Sequence, residues 1–195
     1  MGIEKIISGL NKEVTGIVAV SDNNVIGVSK YNEMPWRLGE YENHPFWNNM
    51  KDPNSFRRQD MDHFMKTTKN NTVIMGKKTY ESIDERFRPL KDRYNIILSR
   101  TQKGKGDSYR FVSNETQALE LAKTKPGNIF IMGGSQIYDL FMPYMDSIIV
   151  TQINKKFKGD IVFNISSDFK PFYSKPLGTI DPKIANILIY RKSFF

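Results

Sequence analysis

Asn128-Ile-Phe-Ile-Met-Gly-Gly-Ser-Gln-Ile-Tyr138 decides the reading of this chain. Ile129 to Met132 is an apolar run long enough for a buried strand. Gly133-Gly134 follow at once. Ser135 then opens a segment with Ile137, Leu140 and Phe141 at helical spacing, stopped by Pro143. Strand, glycine turn and helix aim backbone N–H groups at one point, which suits a phosphate. Adjacent glycines also let a ligand approach the backbone, because no Cβ intervenes. The competing reading of such a pair is a plain turn.

The same pattern recurs upstream. Thr72 to Met75 is a second buried strand, followed by Gly76-Lys77-Lys78-Thr79 and a short helix with Tyr80 and Ile83 on its apolar side. Asn95 to Leu98 is a third strand and ends in Ser99-Arg100. Thr15 to Val20 precedes them as a strand apolar on both faces, as expected for the centre of a covered sheet. Phe111-Val112 is a short strand. Ser113 or Asn114 caps a helix through Lys123. Ser147 to Ile153 and the tail 184–191 read as further strands. Strands alternating with helices predict an α/β fold with a mostly parallel sheet. In such a sheet the three ligand-like strand ends meet at the carboxyl edge, where ligands bind. Two glycine turns with Lys77, Ser99 and Arg100 suit a dinucleotide carrying an extra phosphate, NADP in preference to NAD. Taken singly, Lys77 reads equally as a solvated lysine and Arg100 as a salt-bridge partner.

Composition narrows the classes. The chain has 195 residues, which sets one domain as the default. It has no cysteine, hence no disulfide framework, no thiol nucleophile and no cysteine zinc site. His44 and His63 are its only histidines, too few for a histidine-rich metal cluster. No apolar run approaches a membrane span of roughly 20 residues, and no secretory signal is visible. A cytoplasmic protein with no membrane partner is the expectation. The net charge of +8 is spread over scattered lysines. It favours a small polyanionic ligand over nucleic acid, which requires a clustered patch. Residues 1–13 read as an N-terminal extension with one or two helical turns, and 14–195 as a single domain.

Residues 37–59 are polar, contain Pro45 and Pro53, and carry Tyr41, Phe46, Trp47 and Phe56. An irregular stretch of that length is usually a functional lid or a disordered insertion, and its aromatics argue against full disorder. A helix over Asp60 to Thr68 follows, with Met61, Phe64 and Met65 at helical spacing.

The motifs IVAVSDNNVIG, MPW, VIMGKKTYESI, RPLKDRYNIILSR, IFIMGGSQIYDLF and TQI…GDIVF resemble, in order and spacing, those of the dihydrofolate reductases. The likeness runs from about Ile17 to Phe163, interrupted by 37–59. It implies an antiparallel C-terminal strand on a mostly parallel sheet with helices on both faces. It also implies hydride transfer from NADPH to C6 of dihydrofolate with a proton added at N5, in a monomer. The pterin carboxylate falls at Asp60, with Phe64 four residues on along the same helix face. Thr151 would hydrogen-bond Asp60. Val18 and Met132 carbonyls would meet the pterin amino group. Ala19, Ile26 and Gly27 would line the nicotinamide, with Tyr138 beside both rings. Met34 and Trp36 would belong to a mobile loop. Ile83 and Leu90 would hold the aminobenzoyl ring, and Arg93 the glutamate α-carboxylate. Lys77, Ser99 and Arg100 would take the adenosine 2′-phosphate of the cofactor, and Thr79 with Gly134, Ser135, Gln136 and Ile137 its pyrophosphate; Gly76, Lys78 and Gly133 would also border the cofactor.

Alternatives remain at this stage. Asp60 also admits a plainer reading, as the N-cap of its helix. Glu42, with Phe46 four residues on, imitates the acid–aromatic pair. Asp92 stands where the resembled family usually has a glycine. Ile161 follows Asp160 where that family often has a hydroxyl residue. A riboflavin-pathway NADPH-dependent pyrimidine reductase and a non-catalytic binding module share the implied fold.

Overall fold

The computed structural model describes residues 9–193. Its strands are β1 (Val14–Ser21), β2 (Val25–Gly27), β3 (Thr72–Gly76), β4 (Tyr94–Leu98), β5 (Lys105–Gly106), β6 (Tyr109–Val112), β7 (Ile129–Ile131), β8 (Ser147–Ile153), β9 (Ile161–Val162), β10 (Phe169–Pro176) and β11 (Ala185–Lys192). Its helices are α1 (Pro45–Asn48), α2 (Phe56–Thr68), α3 (Lys77–Ser82), α4 (Glu115–Lys123) and α5 (Ser135–Phe141). The helical turns expected within 1–13 fall largely outside the described residues, and 9–13 carry neither helix nor strand. The chain packs as two compact units. One takes the chain up to Ile17 with Thr68–Ser147; the other takes Val18–Thr67 with the chain from Ile148.

In the first unit the strand order is β1, β7, β3, β4, β6, β5. Pairs β1·β7, β7·β3, β3·β4 and β4·β6 are all parallel, and only β5 runs antiparallel, against β6. The apolar runs explain the arrangement. Every residue of β3 and β7 is buried, so both faces need cover, and parallel strands return through connections that supply it. Asn114 caps α4 by accepting from the Gln117 N–H at 2.9 Å, and Ala118, Leu119 and Ala122 seat that helix. The Gly/Lys stretch 103–106 contributes the two residues of β5.

In the second unit β10 pairs antiparallel with β11, the neighbour of β8, and β2 pairs antiparallel with β9. Sequence patterning did not reveal β10, because Pro171 and Pro176 argue against a central strand. The structure resolves this by making β10 an edge strand, exposed at all positions after Phe169, where proline is tolerated. The fold is therefore α/β with a mostly parallel sheet and antiparallel C-terminal strands, as the sequence predicts.

Residues 37–59 are neither an irregular loop nor disordered. They form a 3-10 turn at Gly39–Tyr41, helix α1 and the start of α2. Trp47 (6% exposed) and Phe56 (0%) enter a core with Trp36, Phe157, Leu177 and Ile187. Ring centroids lie 5.3 Å apart for Trp47–Phe56, 5.5 Å for Trp47–Phe157 and 5.6 Å for Trp36–Phe157. Helix α2 begins at Phe56 rather than Asp60 because Ser55 caps it: its Oγ accepts from the Arg58 N–H at 3.2 Å. Gln59 then fixes the helix to the Thr179 turn, accepting from the Thr179 N–H at 2.7 Å and donating to its Oγ1 at 2.6 Å.

Candidate active site

The first unit collects the strand ends. Gly76 closes β3, Gly133-Gly134 follow β7, and Ser99-Arg100 follow β4. These three strands are parallel neighbours, and Gly76 stands opposite Leu98 in register. The Gly76 N–H donates to the Gly133 carbonyl at 2.8 Å. A Cβ on Gly76 would sit 3.0 Å from Ile137, and Gly133, at φ +105°, would place one 3.1 Å from the Tyr138 ring. At both positions a Cβ would press on its neighbour by a few tenths of an ångström, and at Gly133 the positive φ itself favours glycine. The Gly133–Gly134 peptide is cis. Thr79 faces the same turn, its Oγ1 being 3.5 Å from where a Gly134 Cβ would stand. The Tyr138 hydroxyl donates to the Ile17 carbonyl at 2.7 Å in a buried contact.

Around this cradle the basic and polar residues are half-buried or exposed, except Ser99. Lys77 Nζ lies 3.5 Å from Glu81, and Arg100 is exposed. Ser99 is buried, and its Oγ accepts from the Gln102 N–H at 2.9 Å, holding the turn after β4. Ser135, Ile137 and Met132 are half-buried; Lys78 and Gln136 are exposed.

The loop leading into β4 carries Leu90 and Arg93, and a residue the sequence reading passed over organises it. Asn95 is fully buried inside an apolar strand. Its side chain accepts from the Leu90 N–H at 3.0 Å and donates to the Leu90 carbonyl at 3.0 Å and the Arg93 carbonyl at 3.2 Å. The signal was a lone amide in an apolar run, which must find partners when buried. Arg93 is 9% exposed, with Nε donating to Thr68 Oγ1 at 2.8 Å and Nη1 to the Lys91 carbonyl at 2.6 Å. Burial holds its pKa below the usual arginine range. Asp92 adopts φ +57°, so the left-handed turn that glycine would favour is kept by an aspartate, one of the side chains that tolerates it. Ile83, just past α3, is half-buried. Replacing Asn95 by alanine is expected to cost about 1–3 kcal/mol in urea unfolding, the range for stranding buried backbone partners.

The second unit holds the candidate acid. Asp60 lies in the interior of α2, so it does not cap that helix. It is half-buried and shares its face with the half-buried Phe64. Desolvation raises its carboxyl pKa above the usual range; a side-chain hydrogen bond with Thr151 and the Arg37 charge oppose that rise. Thr151 is 4% exposed on β8. Glu42 is exposed and ends the 3-10 turn before α1, away from any helix shared with an aromatic partner. Val18 is buried, with Ala19 and Ile26 half-buried. Trp36, at 1% exposure, is anchored in the aromatic core beside Phe56 and Phe157. The Ser29 N–H donates to Asp160 Oδ1 at 2.7 Å, and the Ser29 hydroxyl to Oδ2. Asp160 itself thus ties the turn after β2, while Ile161 packs 3.1 Å from the Cβ position of Gly27.

On the same helix His63 is half-buried, its Nε2 has no partner, and its pKa falls to about 4 through burial and the Lys175 charge. The unfolded chain therefore takes up a proton between pH 6.5 and about 4 that the folded chain resists, so stability falls as pH drops through that window. His63→Gln is expected to lessen this loss, read from urea midpoints at neutral and mildly acidic pH.

Among the described residues no group of three His, Cys, Asp or Glu side chains is placed to hold a metal ion. No described helix is long and apolar enough to cross a membrane.

A sequence profile described as dihydrofolate reductase matches residues 53–176. The dihydrofolate reductase of Ureaplasma parvum serovar 3 is 32% identical over 166 residues, covering 85% of this chain and 91% of that one. This chain belongs to the dihydrofolate reductase family. Within that family, the Sus scrofa dihydrofolate reductase is 37% identical over 155 residues, 75% of this chain and 76% of its own. A solved Enterococcus faecalis dihydrofolate reductase, complexed with NADP(H) and RAB-propyl, shares the fold at a TM-score of 0.72 and 24% identity, covering 93% of this family member and 97% of the solved chain.

Proposed function

We propose that this chain is an NADPH-dependent oxidoreductase that reduces 7,8-dihydrofolate to tetrahydrofolate, supplying one-carbon and thymidylate synthesis. We place it in the cytoplasm as a monomer, with residues 14–195 serving as one catalytic domain and no nucleic-acid partner. The observation that carries the reading is Asp60: a desolvated carboxylate inside α2, hydrogen-bonded by Thr151, with an aromatic ring four residues on. That pairing gives one polar anchor and one flat wall, which a planar heteroaromatic ring requires.

Asp60 accepts hydrogen bonds from the amino-amidine edge of the pterin and fixes its orientation. Thr151 holds the carboxylate in place. The proton reaches N5 through water, with Asp60 setting the electronic state of the pterin rather than touching N5. Phe64, with Ile83 and Leu90, contacts the apolar body of the substrate, and Val18 and Met132 offer backbone carbonyls. Arg93 takes the glutamate carboxylate, where a guanidinium is suited to two parallel hydrogen bonds.

The residues at the carboxyl edge fit a phosphorylated dinucleotide. Glycines whose Cβ positions are occupied or strained leave bare backbone at Gly76 and Gly133, and cationic side chains stand beside them. NADPH supplies the hydride when bound. Lys77, Lys78, Ser99 and Arg100 would hold its 2′-phosphate. Thr79, Gly134, Ser135, Gln136 and Ile137 would hold its pyrophosphate. Ala19, Ile26, Gly27 and Tyr138 would border the nicotinamide.

The test is loss of reduced-nicotinamide absorbance with NADPH and 7,8-dihydrofolate, with and without a 2,4-diaminopyrimidine antifolate. Antifolate-sensitive oxidation is expected. Oxidation that requires a pyrimidine ribosylamino substrate instead would transfer the chain to the riboflavin-pathway chemistry. No oxidation with either, despite NADPH binding, would leave a binding module.

A further inference from the structure

Arg93 is a buried cation whose side chain is fixed by the end of a helix. Thr68 is the last residue of α2 and has no exposed surface. Its Oγ1 accepts from Arg93 Nε at 2.8 Å, and the Lys91 carbonyl accepts from Nη1 at 2.6 Å. Both of these partners are neutral, so they orient the guanidinium without cancelling its charge. Thr68, Lys91, Arg93 and Asn95 all belong to one compact unit.

The backbone on either side of Arg93 is held by other bonds. The Asn70 N–H donates to the Asp92 carbonyl at 2.8 Å, and the Tyr94 N–H to the Asn71 carbonyl at 3.0 Å. Asn95 Nδ2 donates to the Arg93 carbonyl at 3.2 Å. These bonds set the path of the chain without using the Thr68 hydroxyl. What the hydroxyl adds is the orientation of a side chain that otherwise has large rotamer freedom. Nε carries a single hydrogen and Thr68 takes it, so a carboxylate is met by the terminal nitrogens.

We propose that Thr68 is a positioning residue for substrate specificity: it holds the Arg93 guanidinium in the orientation that receives the glutamate α-carboxylate, and so favours folates over dihydropterins that lack a carboxylate tail. The inference rests on the reading of Arg93 as the carboxylate site. Its physical content is preorganisation. A guanidinium ordered before the substrate arrives does not have to be ordered by binding. The gain is confined to substrates that carry the carboxylate. It falls on binding and not on the hydride step, because the tail is remote from the reacting ring.

The experiment is steady-state kinetics of Thr68→Val and Thr68→Ser with NADPH and each of two substrates, 7,8-dihydrofolate and 6-methyl-7,8-dihydropterin, which carries the reacting ring without a carboxylate. Thr68→Val is expected to raise KM for dihydrofolate about tenfold, the scale of one hydrogen bond to a charged group, with kcat held. Its kcat/KM on the methylpterin should stay within about twofold of the parent, as for a change away from the reacting groups. Thr68→Ser keeps the hydroxyl and should restore most of the dihydrofolate KM. Thr68→Ala takes the place of the valine variant if that one does not fold. An equal loss on both substrates would overturn the proposal, as would a serine variant as impaired as the valine one. Arg93→Gln tests the underlying reading separately. An unchanged KM for dihydrofolate in that variant would remove Arg93 from the carboxylate site. A raised KM there, beside an unchanged one in Thr68→Val, would overturn the role of Thr68 alone.

Discussion

Asp60→Asn is expected to lose about 100-fold or more of dihydrofolate turnover near neutral pH, the lower range for removing a positioned acid–base group, while binding NADPH as the parent does. The asparagine keeps the size of the side chain and its place inside α2, so the fold has no reason to change. What disappears is the negative charge proposed to face the pterin amidine, and one of the two acceptor oxygens, which becomes an NH₂ donor. Gly76, Ser99 and Gly133, proposed for the cofactor phosphates, lie in the other compact unit and are untouched by the substitution. Glu42→Gln is the matched control. Glu42 is exposed, and its loss should leave turnover within about twofold of the parent, as for an ordinary surface change. Steady-state kinetics with NADPH titrations on both variants checks the pair. The reverse ranking would move the acid to Glu42.

Phe56→Ala is expected to destabilise the protein by about 3–5 kcal/mol, the range for emptying a large aromatic site in a core. Phe56 has no exposed surface and packs at 6.2 Å from Trp36 and 5.3 Å from Trp47, centroid to centroid. Its loss opens a cavity beneath both rings, and α2 loses the anchor at its first residue. Trp36 and Trp47 are the chain's two tryptophans, so fluorescence-detected urea unfolding reads this cluster directly. A change below about 1 kcal/mol, typical of surface positions, would mean that the 37–59 segment rests on the molecule as a detachable lid.

The parallel core was legible because its strands are short and apolar on both faces. β3 and β7 satisfy three independent expectations at once, burial, a glycine turn and helix spacing, while β4 satisfies burial and ends in Ser99-Arg100. Carboxyl-edge geometry then follows from parallel pairing, which is why Gly76, Ser99 and Gly133 meet as expected. β10 was not legible, since its prolines are compatible with a strand only once it is known to be an edge. The start of α2 was missed for a related reason. Arg57, Arg58 and Gln59 give no apolar period, and the capping Ser55 is itself buried, so Asp60 looked like the boundary. The shared helix face of Asp60 and Phe64 was legible from their spacing of four. Asn95 was hidden by its context, an amide inside a run that otherwise reads as pure core.

The central claim is that Asp60 is the polar anchor for the pterin ring, and its most direct measurement is diaminopyrimidine binding. Affinity of a 2,4-diaminopyrimidine antifolate should be measured by titration calorimetry with NADPH present, for the parent chain and Asp60→Asn. The account predicts tight binding to the parent and a loss of about 30-fold or more in the variant, the scale of truncating one partner of a buried charge pair, at unchanged NADPH affinity. Equal affinity of the antifolate for both proteins would contradict it and place the anchor on another residue.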